Sequence, residues 1–146
     1  MEFIDKKVFL YYKKNFDSVI AIGGGSVIDT GKAISAMLPH GNSIMDHLED
    51  IGRGIPHSGY KLPFLAVPTT SGTGGEATKN AVITKIGPNG YKKSIRNKNF
   101  IPDAIIIDGY LLTTAPKDVT ISCGFDSLTQ LIESFISSKA SPISDA

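Results

Sequence analysis

Short apolar runs alternate with amphipathic stretches along this chain. Residues 18–22 form an almost continuous apolar run that ends at glycines, and residues 62–67 and 104–107 repeat the pattern. Such runs are typical of parallel strands that are covered on both faces. Residues 2–15 and roughly 27–38 instead carry apolar positions at helical spacing, which predicts two helices.

The remaining segments predict a hairpin, a long connection and a last helix. Residues 81–86 and 91–96 flank the sequence Gly-Pro-Asn-Gly, a pattern typical of a β-hairpin. Residues 40–60 are rich in glycine and read mainly as connection, with a possible short helix at 44–49. From Val119 onward a helical stripe returns. This order predicts an α/β fold with an open, mostly parallel sheet, helices on both faces and a β-hairpin.

Composition narrows the functional classes. The 146 residues are 41% hydrophobic and 20% charged, as in one soluble domain. Lys plus Arg number 15 against 14 for Asp plus Glu, so no basic excess favours nucleic acid as a partner. No apolar run approaches the ~20 residues of a membrane span, so we expect a cytoplasmic protein without a membrane partner. The single cysteine, Cys123, is interpreted as a small buried residue rather than a reactive thiol.

The first chemical signal is the sequence Gly23-Gly24-Gly25-Ser26 between a predicted strand and a predicted helix. Glycines permit a sharp turn and close approach of the backbone, and the N–H groups of a helix N-terminus favour a phosphate. The spacing matches neither the Walker loop nor G-x-G-x-x-G. A purely structural glycine turn is the alternative, and we favour pyrophosphate binding.

The second signal, residues 68–76, also follows a predicted strand. It contains four hydroxyl side chains and three glycines, so it is a donor-rich loop suited to a cofactor phosphate or a nicotinamide ring. A Ser/Thr-rich turn that caps the next helix explains the same residues equally well.

The third signal lies in the last predicted helix. Asp126, Gln130 and Glu133 are spaced i, i+4 and i+7, so they share one face and could point together into a cleft. From spacing alone, a solvated polar stripe behind an acidic N-terminal residue is the better explanation than a metal site.

Together these segments resemble the iron-containing (group III) alcohol dehydrogenase family. The matching stretches are residues 16–32, 62–78, 102–116 and 124–146. The resemblance implies an N-terminal nucleotide-binding α/β domain, expected at residues 1–117, and the start of an all-helical metal-binding domain at 118–146. It also implies NAD or NADP and a divalent metal, Fe²⁺ or Zn²⁺, between the domains. The expected reaction is hydride transfer between NAD(P)H and a primary alcohol or aldehyde.

The resemblance also implies roles for individual residues. Gly24, Gly25 and Ser26 are expected to hold the pyrophosphate, and Asp126 matches the first metal ligand of the family. The other expected cofactor-site residues are Thr69, Thr70, Thr73, Asn80 and Lys93.

The chain departs from the family pattern in two ways. Gln130 stands where the family has its first metal-binding histidine, and an amide oxygen is a poor substitute for imidazole. The family's other two histidine ligands lie in a helical domain beyond residue 146, and further βα units precede residue 16. The sequence therefore predicts a fold truncated at both ends, without turnover on its own, with at most weak dinucleotide binding. Uncovered sheet edges and a bare apolar stripe on the last helix predict a homo-oligomer or looser self-association.

Overall fold

The structure is a computed structural model that describes residues 2–144. Its helices and strands follow the predicted order: α1 Glu2–Tyr11, β1 Val19–Gly23, α2 Gly25–Met37, β2 Phe64–Pro68, β3 Asn80–Lys85, β4 Tyr91–Arg96, β5 Ala104–Ile105 and α3 Lys117–Phe135. Four single 3₁₀ turns join them: Ile44–Asp46, Gly75–Ala77, Lys98–Phe100 and Gly109–Leu112. The short helix expected at 44–49 is thus one turn, and the expected strand at 104–107 pairs over two residues only.

The predicted mixture of a parallel sheet and a hairpin is confirmed. The sheet has the order β1-β2-β5, and both pairings are parallel. β3 and β4 form a separate antiparallel pair. The turn at its tip is open, since a Cβ at Gly87 would meet no atom within 4 Å and Ile86 is 93% exposed.

Helix α2 lies at the centre of the packing. Seven of its 13 residues are buried, and it contacts α1, β1, β2 and the hairpin. Its approach to the sheet depends on Gly31, where a Cβ would lie 2.6 Å from the Ala21 Cβ and 2.9 Å from the Phe64 ring. The smaller buried cluster, between α2 and the sheet, comprises Ala21, Ile28, Phe64 and Ala66. The larger cluster comprises Ile4, Val8, Ala33, Ala36, Met37, Ile44, Leu48, Ala81, Ile83, Ile95 and Phe100.

The connection 40–60 is held against α2 by a cluster of three histidines. The His57 ring lies 4.9 Å from both the His40 and the His47 rings and 4.8 Å from the Phe100 ring. His57 Nε2 donates to the carbonyl of Ala36 near the end of α2 at 3.1 Å. Nothing in the local sequence around the three histidines predicts that they cluster.

Helix α3 packs very differently from α2. None of its 19 residues is buried. The predicted apolar stripe is exposed, with Leu128 at 49% and Leu131 at 67%. Cys123 is half-buried, so its interpretation as a small buried residue is wrong. Among the described residues, no helix has the length and apolarity needed to cross a membrane.

Candidate functional site

The first two predicted loops meet at the carboxyl ends of β1 and β2. Gly23 pairs with Pro68 at the ends of these parallel strands. The backbone N–H of Thr69 donates to the carbonyl of Gly23 at 3.0 Å, which ties the second loop to the first turn. Ligands of open α/β sheets bind beyond this edge.

The first turn leaves the N-terminus of α2 without a side-chain cap. Gly24 is the N-cap residue, and no side chain bonds to the helix there. The first N–H groups bonded within the helix are those of Val27 and Ile28, which donate to the carbonyl of Gly24. The N–H groups of Gly25 and Ser26 therefore precede the helical bonding, and an uncapped N-terminus of this kind attracts an anion.

The second loop lies directly against this turn. A Cβ at Gly24 would lie 3.2 Å from the Thr70 side chain, and one at Gly25 would lie 2.9 Å from Thr73 Cγ2. Larger residues would push the loop away from the helix. The two glycines therefore serve the contact between the loops as well as the approach of a ligand.

A cleft of about 360 Å³ lies between the glycine turn, the second loop, the β3–β4 hairpin and α3. It brings together six of the predicted site residues: Gly25, Ser26, Thr73, Asn80, Asp126 and Gln130. Its other lining residues are Asp29, Gly75, Thr78, Val82, Thr84 and Lys92.

Four predicted residues lie outside the lining of this cleft. Gly24 contacts Thr70 at its edge, as described. Thr69 and Thr70 line a neighbouring cavity of about 450 Å³ beside Tyr110 and Pro116.

Lys93 lies away from the cleft, so the structure does not support its expected position there. Its ammonium group forms an ion pair with Asp50 at 2.6 Å. Successive residues of a strand point to opposite faces. Lys92 is therefore the hairpin lysine that lines the cleft, beside its cross-strand partner Thr84.

Sequence reasoning also missed Asp29 and Lys32 on α2. Asp29 lines the cleft, and burial raises the pKa of its carboxyl group, although an N–H from Val82 and the charges of Lys32 and Lys92 oppose the shift. Lys32 is fully buried. Their spacing from Gly25 predicts that both side chains lie on the helical face that begins at the glycine turn, because residues i, i+4 and i+7 share one face of a helix.

The candidate metal residues are close to the second loop, but they do not form a metal site by themselves. Gln130 Nε2 donates to the carbonyl of Gly72 at 3.0 Å. Within residues 2–144, no group of three or more His, Cys, Asp or Glu side chains could hold a metal ion. Asp126 is the only carboxylate that α3 supplies to the cleft lining.

Comparison with known proteins decides the family. The model of the iron-containing alcohol dehydrogenases matches residues 2–109. The chain belongs to this family. The probable alcohol dehydrogenase EutG of Escherichia coli is 35% identical over 130 residues, covering 89% of this chain and 32% of EutG. The NADPH-dependent butanol dehydrogenase of Clostridium saccharobutylicum is 37% identical over 133 residues, covering 88% of this chain and 33% of its own length.

A solved structure of similar fold contains bound NAD⁺. The sulfoacetaldehyde reductase of Bifidobacterium kashiwanohense in complex with NAD⁺ is 35% identical and superposes with a TM-score of 0.87. The match covers 97% of this chain and 37% of the reductase. The chain thus spans about a third of the length of the curated relatives that it matches.

Proposed function

We propose that this chain binds NAD or NADP as the nucleotide-binding part of a dehydrogenase that acts on a primary alcohol or aldehyde. The observation that carries the proposal is the uncapped N-terminus of α2 beneath a donor-rich loop. Family membership and a relative solved with NAD⁺ support it. In this assignment residues 1–117 form the nucleotide-binding domain, and 118–146 begin the helical domain of a cytoplasmic enzyme.

The pyrophosphate has a complementary set of donors in the cleft. The N–H groups of Gly25 and Ser26 and the hydroxyl groups of Ser26 and Thr73 are positioned to bind phosphate oxygens. Lys92 adds a positive charge on the hairpin side. Asp29 opposes an anion, and its raised pKa shows that burial already disfavours its charged form. A phosphate is therefore best placed nearer Ser26 than Asp29.

Bound nicotinamide would supply the hydride chemistry, and the protein would orient it. Thr69, Thr70 and Asn80 remain proposed cofactor contacts. Lys92, which lines the cleft, is the proposed lysine contact to the cofactor instead of Lys93. Asp126 and Gln130 remain the proposed metal contacts of this segment, but one carboxylate and one amide do not fit Fe²⁺ or Zn²⁺, so no step is assigned to a metal.

A second candidate function is dinucleotide binding without turnover. The absence of a metal-ligand group within residues 2–144 favours it for the chain on its own. We expect no NAD(P)-dependent oxidation of short primary alcohols by the 146-residue chain, with or without added Fe²⁺ or Zn²⁺. Steady turnover that Asp126→Ala abolishes would contradict this expectation.

The binding proposal is tested at the first turn. In Gly25→Val the side chain meets Thr73 and blocks approach of a phosphate, so the affinity for NADH should fall by about tenfold or more. Gly109→Val is the control, because a Cβ there meets no atom within 4 Å. Titration calorimetry with NADH and NADPH measures both variants after circular dichroism has shown that they are folded. Equal affinities for parent and Gly25→Val would contradict the proposed site.

A further inference from the structure

Lys32 is a charged side chain completely buried inside the α/β core. It is 0% exposed and is among the largest fully buried side chains of the described residues. Its ammonium group donates to the carbonyl oxygens of Gly75 at 2.7 Å, Thr78 at 2.8 Å and Asn80 at 2.9 Å. The ammonium group also donates to the hydroxyl oxygen of Thr78 at 3.2 Å. Each of the three ammonium protons thus has a backbone acceptor.

No carboxylate forms an ion pair with Lys32 among residues 2–144. Burial lowers the pKa of its ammonium group, and the more distant charges of Asp29 and Glu76 oppose the shift. The cation is therefore stabilised chiefly by the dipoles of the three carbonyl groups. Removal of the ammonium would deprive all three carbonyl groups of their shortest hydrogen bond. The carbonyl groups of Gly75 and Asn80 would keep only the longer contacts to the Thr78 hydroxyl, at 3.3 and 3.5 Å, so we expect the backbone that carries them to move.

The residues held in this way form one wall of the cleft. Gly75, Thr78 and Asn80 all line it, together with Gly25 and Ser26 of α2. Lys32 belongs to the same helix as the glycine turn, two turns further along. Its bonds therefore fix the distance between the end of the second loop and the N-terminus of α2.

We propose that Lys32 is a positioning residue for cofactor binding, whose buried ammonium group holds residues 75–80 at the separation from α2 that a dinucleotide phosphate requires. This inference rests on the proposed dinucleotide binding. In this role Lys32 touches no ligand and acts through the backbone of residues 75–80.

The test compares Lys32→Met with Lys79→Met. Met retains the length and volume of the lysine stem, and Lys79 is an exposed lysine within residues 75–80, so the two variants lose the same charge. We expect the affinity for NADH to be about tenfold or more weaker in Lys32→Met than in Lys79→Met. Amide hydrogen exchange of residues 74–80 should be about tenfold faster, while exchange in β1 and β2 stays unchanged.

The outcomes separate this inference from the proposed function. A parent chain that binds no NADH contradicts the proposed function and, with it, the role in cofactor binding. A parent that binds NADH while Lys32→Met binds as tightly as Lys79→Met contradicts the role of Lys32 alone. Unchanged loop exchange in Lys32→Met contradicts the loop-holding role in either case. If Lys32→Met does not fold, Lys32→Gln, which retains two donor protons, is measured against Lys79→Gln with the same expected directions.

Discussion

Helices α2 and α3 both contribute residues to the cleft, but they are supported in different ways. α2 buries seven of 13 residues between the sheet and the hairpin. α3 buries none of 19 and is joined to the second loop by the bond from Gln130 to Gly72. The comparison teaches that the side of the cleft proposed to bind phosphate is built on the protein core, whereas the side carrying Asp126 has no core of its own within the described residues.

The largest expected effect compares two isoleucines on these helices. Ile28 on α2 is 1% exposed, and Ile132 on α3 is 50% exposed. Ile28→Ala should lower the free energy of unfolding by about 3 to 4 kcal/mol because it leaves a cavity beside Phe64. Ile132→Ala should change it by less than about 1 kcal/mol. Urea denaturation measures both, and similar losses would show that α3 packs as firmly as α2.

Acid should weaken the α2 region through its histidine cluster. Burial, with the nearby His47 and His40, lowers the pKa of His57 from 6.5 to about 4. Between these values the unfolded chain binds a proton that the folded chain does not, so stability falls as the pH falls from 6.5 to 4 and is unaffected by this group above 6.5. The loss should reach about 2 to 3 kcal/mol.

His57→Phe isolates this contribution. Phe keeps an aromatic ring beside Phe100 but cannot titrate. The difference in unfolding free energy between about pH 7.5 and about pH 4.5 should be smaller in the variant by about 2 kcal/mol. An identical pH dependence in the two proteins would assign the acid sensitivity to other groups.

Two glycines, one on each helix, test the same difference between α2 and α3. Gly31→Ala places a Cβ 2.6 Å from Ala21 and should destabilise the protein by about 2 kcal/mol. Gly124→Ala on α3 meets no atom within 4 Å and should stabilise it by about 0.5 to 1 kcal/mol through helix propensity. Thermal melts of the two variants provide the measurement. A melting temperature of Gly31→Ala at or above that of the parent would contradict the close contact between α2 and the sheet.

The smallest expected effect on stability concerns the apolar stripe of α3. Leu131→Gln and Phe135→Gln change side chains that are each 67% exposed, so each should alter stability by less than about 0.5 kcal/mol. If the stripe drives self-association, the double variant should be less associated than the parent. Light scattering across a concentration series decides this, and unchanged association would exclude the stripe as the contact.

Much of the fold could be predicted because its signals are local. The apolar runs predicted β1 and β2, and the turn sequence between residues 86 and 91 predicted the hairpin. That β5 pairs over only two residues was not predictable, because the apolar run at residues 104–107 looks like a strand that pairs along its whole length. Pairing length depends on a neighbouring strand, which a local pattern does not describe.

Two parts of the candidate site could be predicted from their positions along the chain. The glycine turn and the second loop follow strands, so the sheet edge brings them together. The position of Lys92 rather than Lys93 in the cleft lining could not be predicted, because neighbouring lysines on a strand differ only in the face to which they point. The helical spacing places Lys32 on the face of the glycine turn, but its partners are backbone carbonyl groups, which carry no sequence signature.

The open tip of the hairpin makes this protein convenient for optical measurement. The turn beside Gly87 packs against nothing, while the same two strands carry Thr84 and Lys92 at the cleft. An Asn89→Cys variant, with Cys123→Ser to remove the natural thiol, offers one attachment point for a fluorophore outside every packed region. Such a label reports changes in the hairpin when a dinucleotide is added, without occupying the cleft that it monitors.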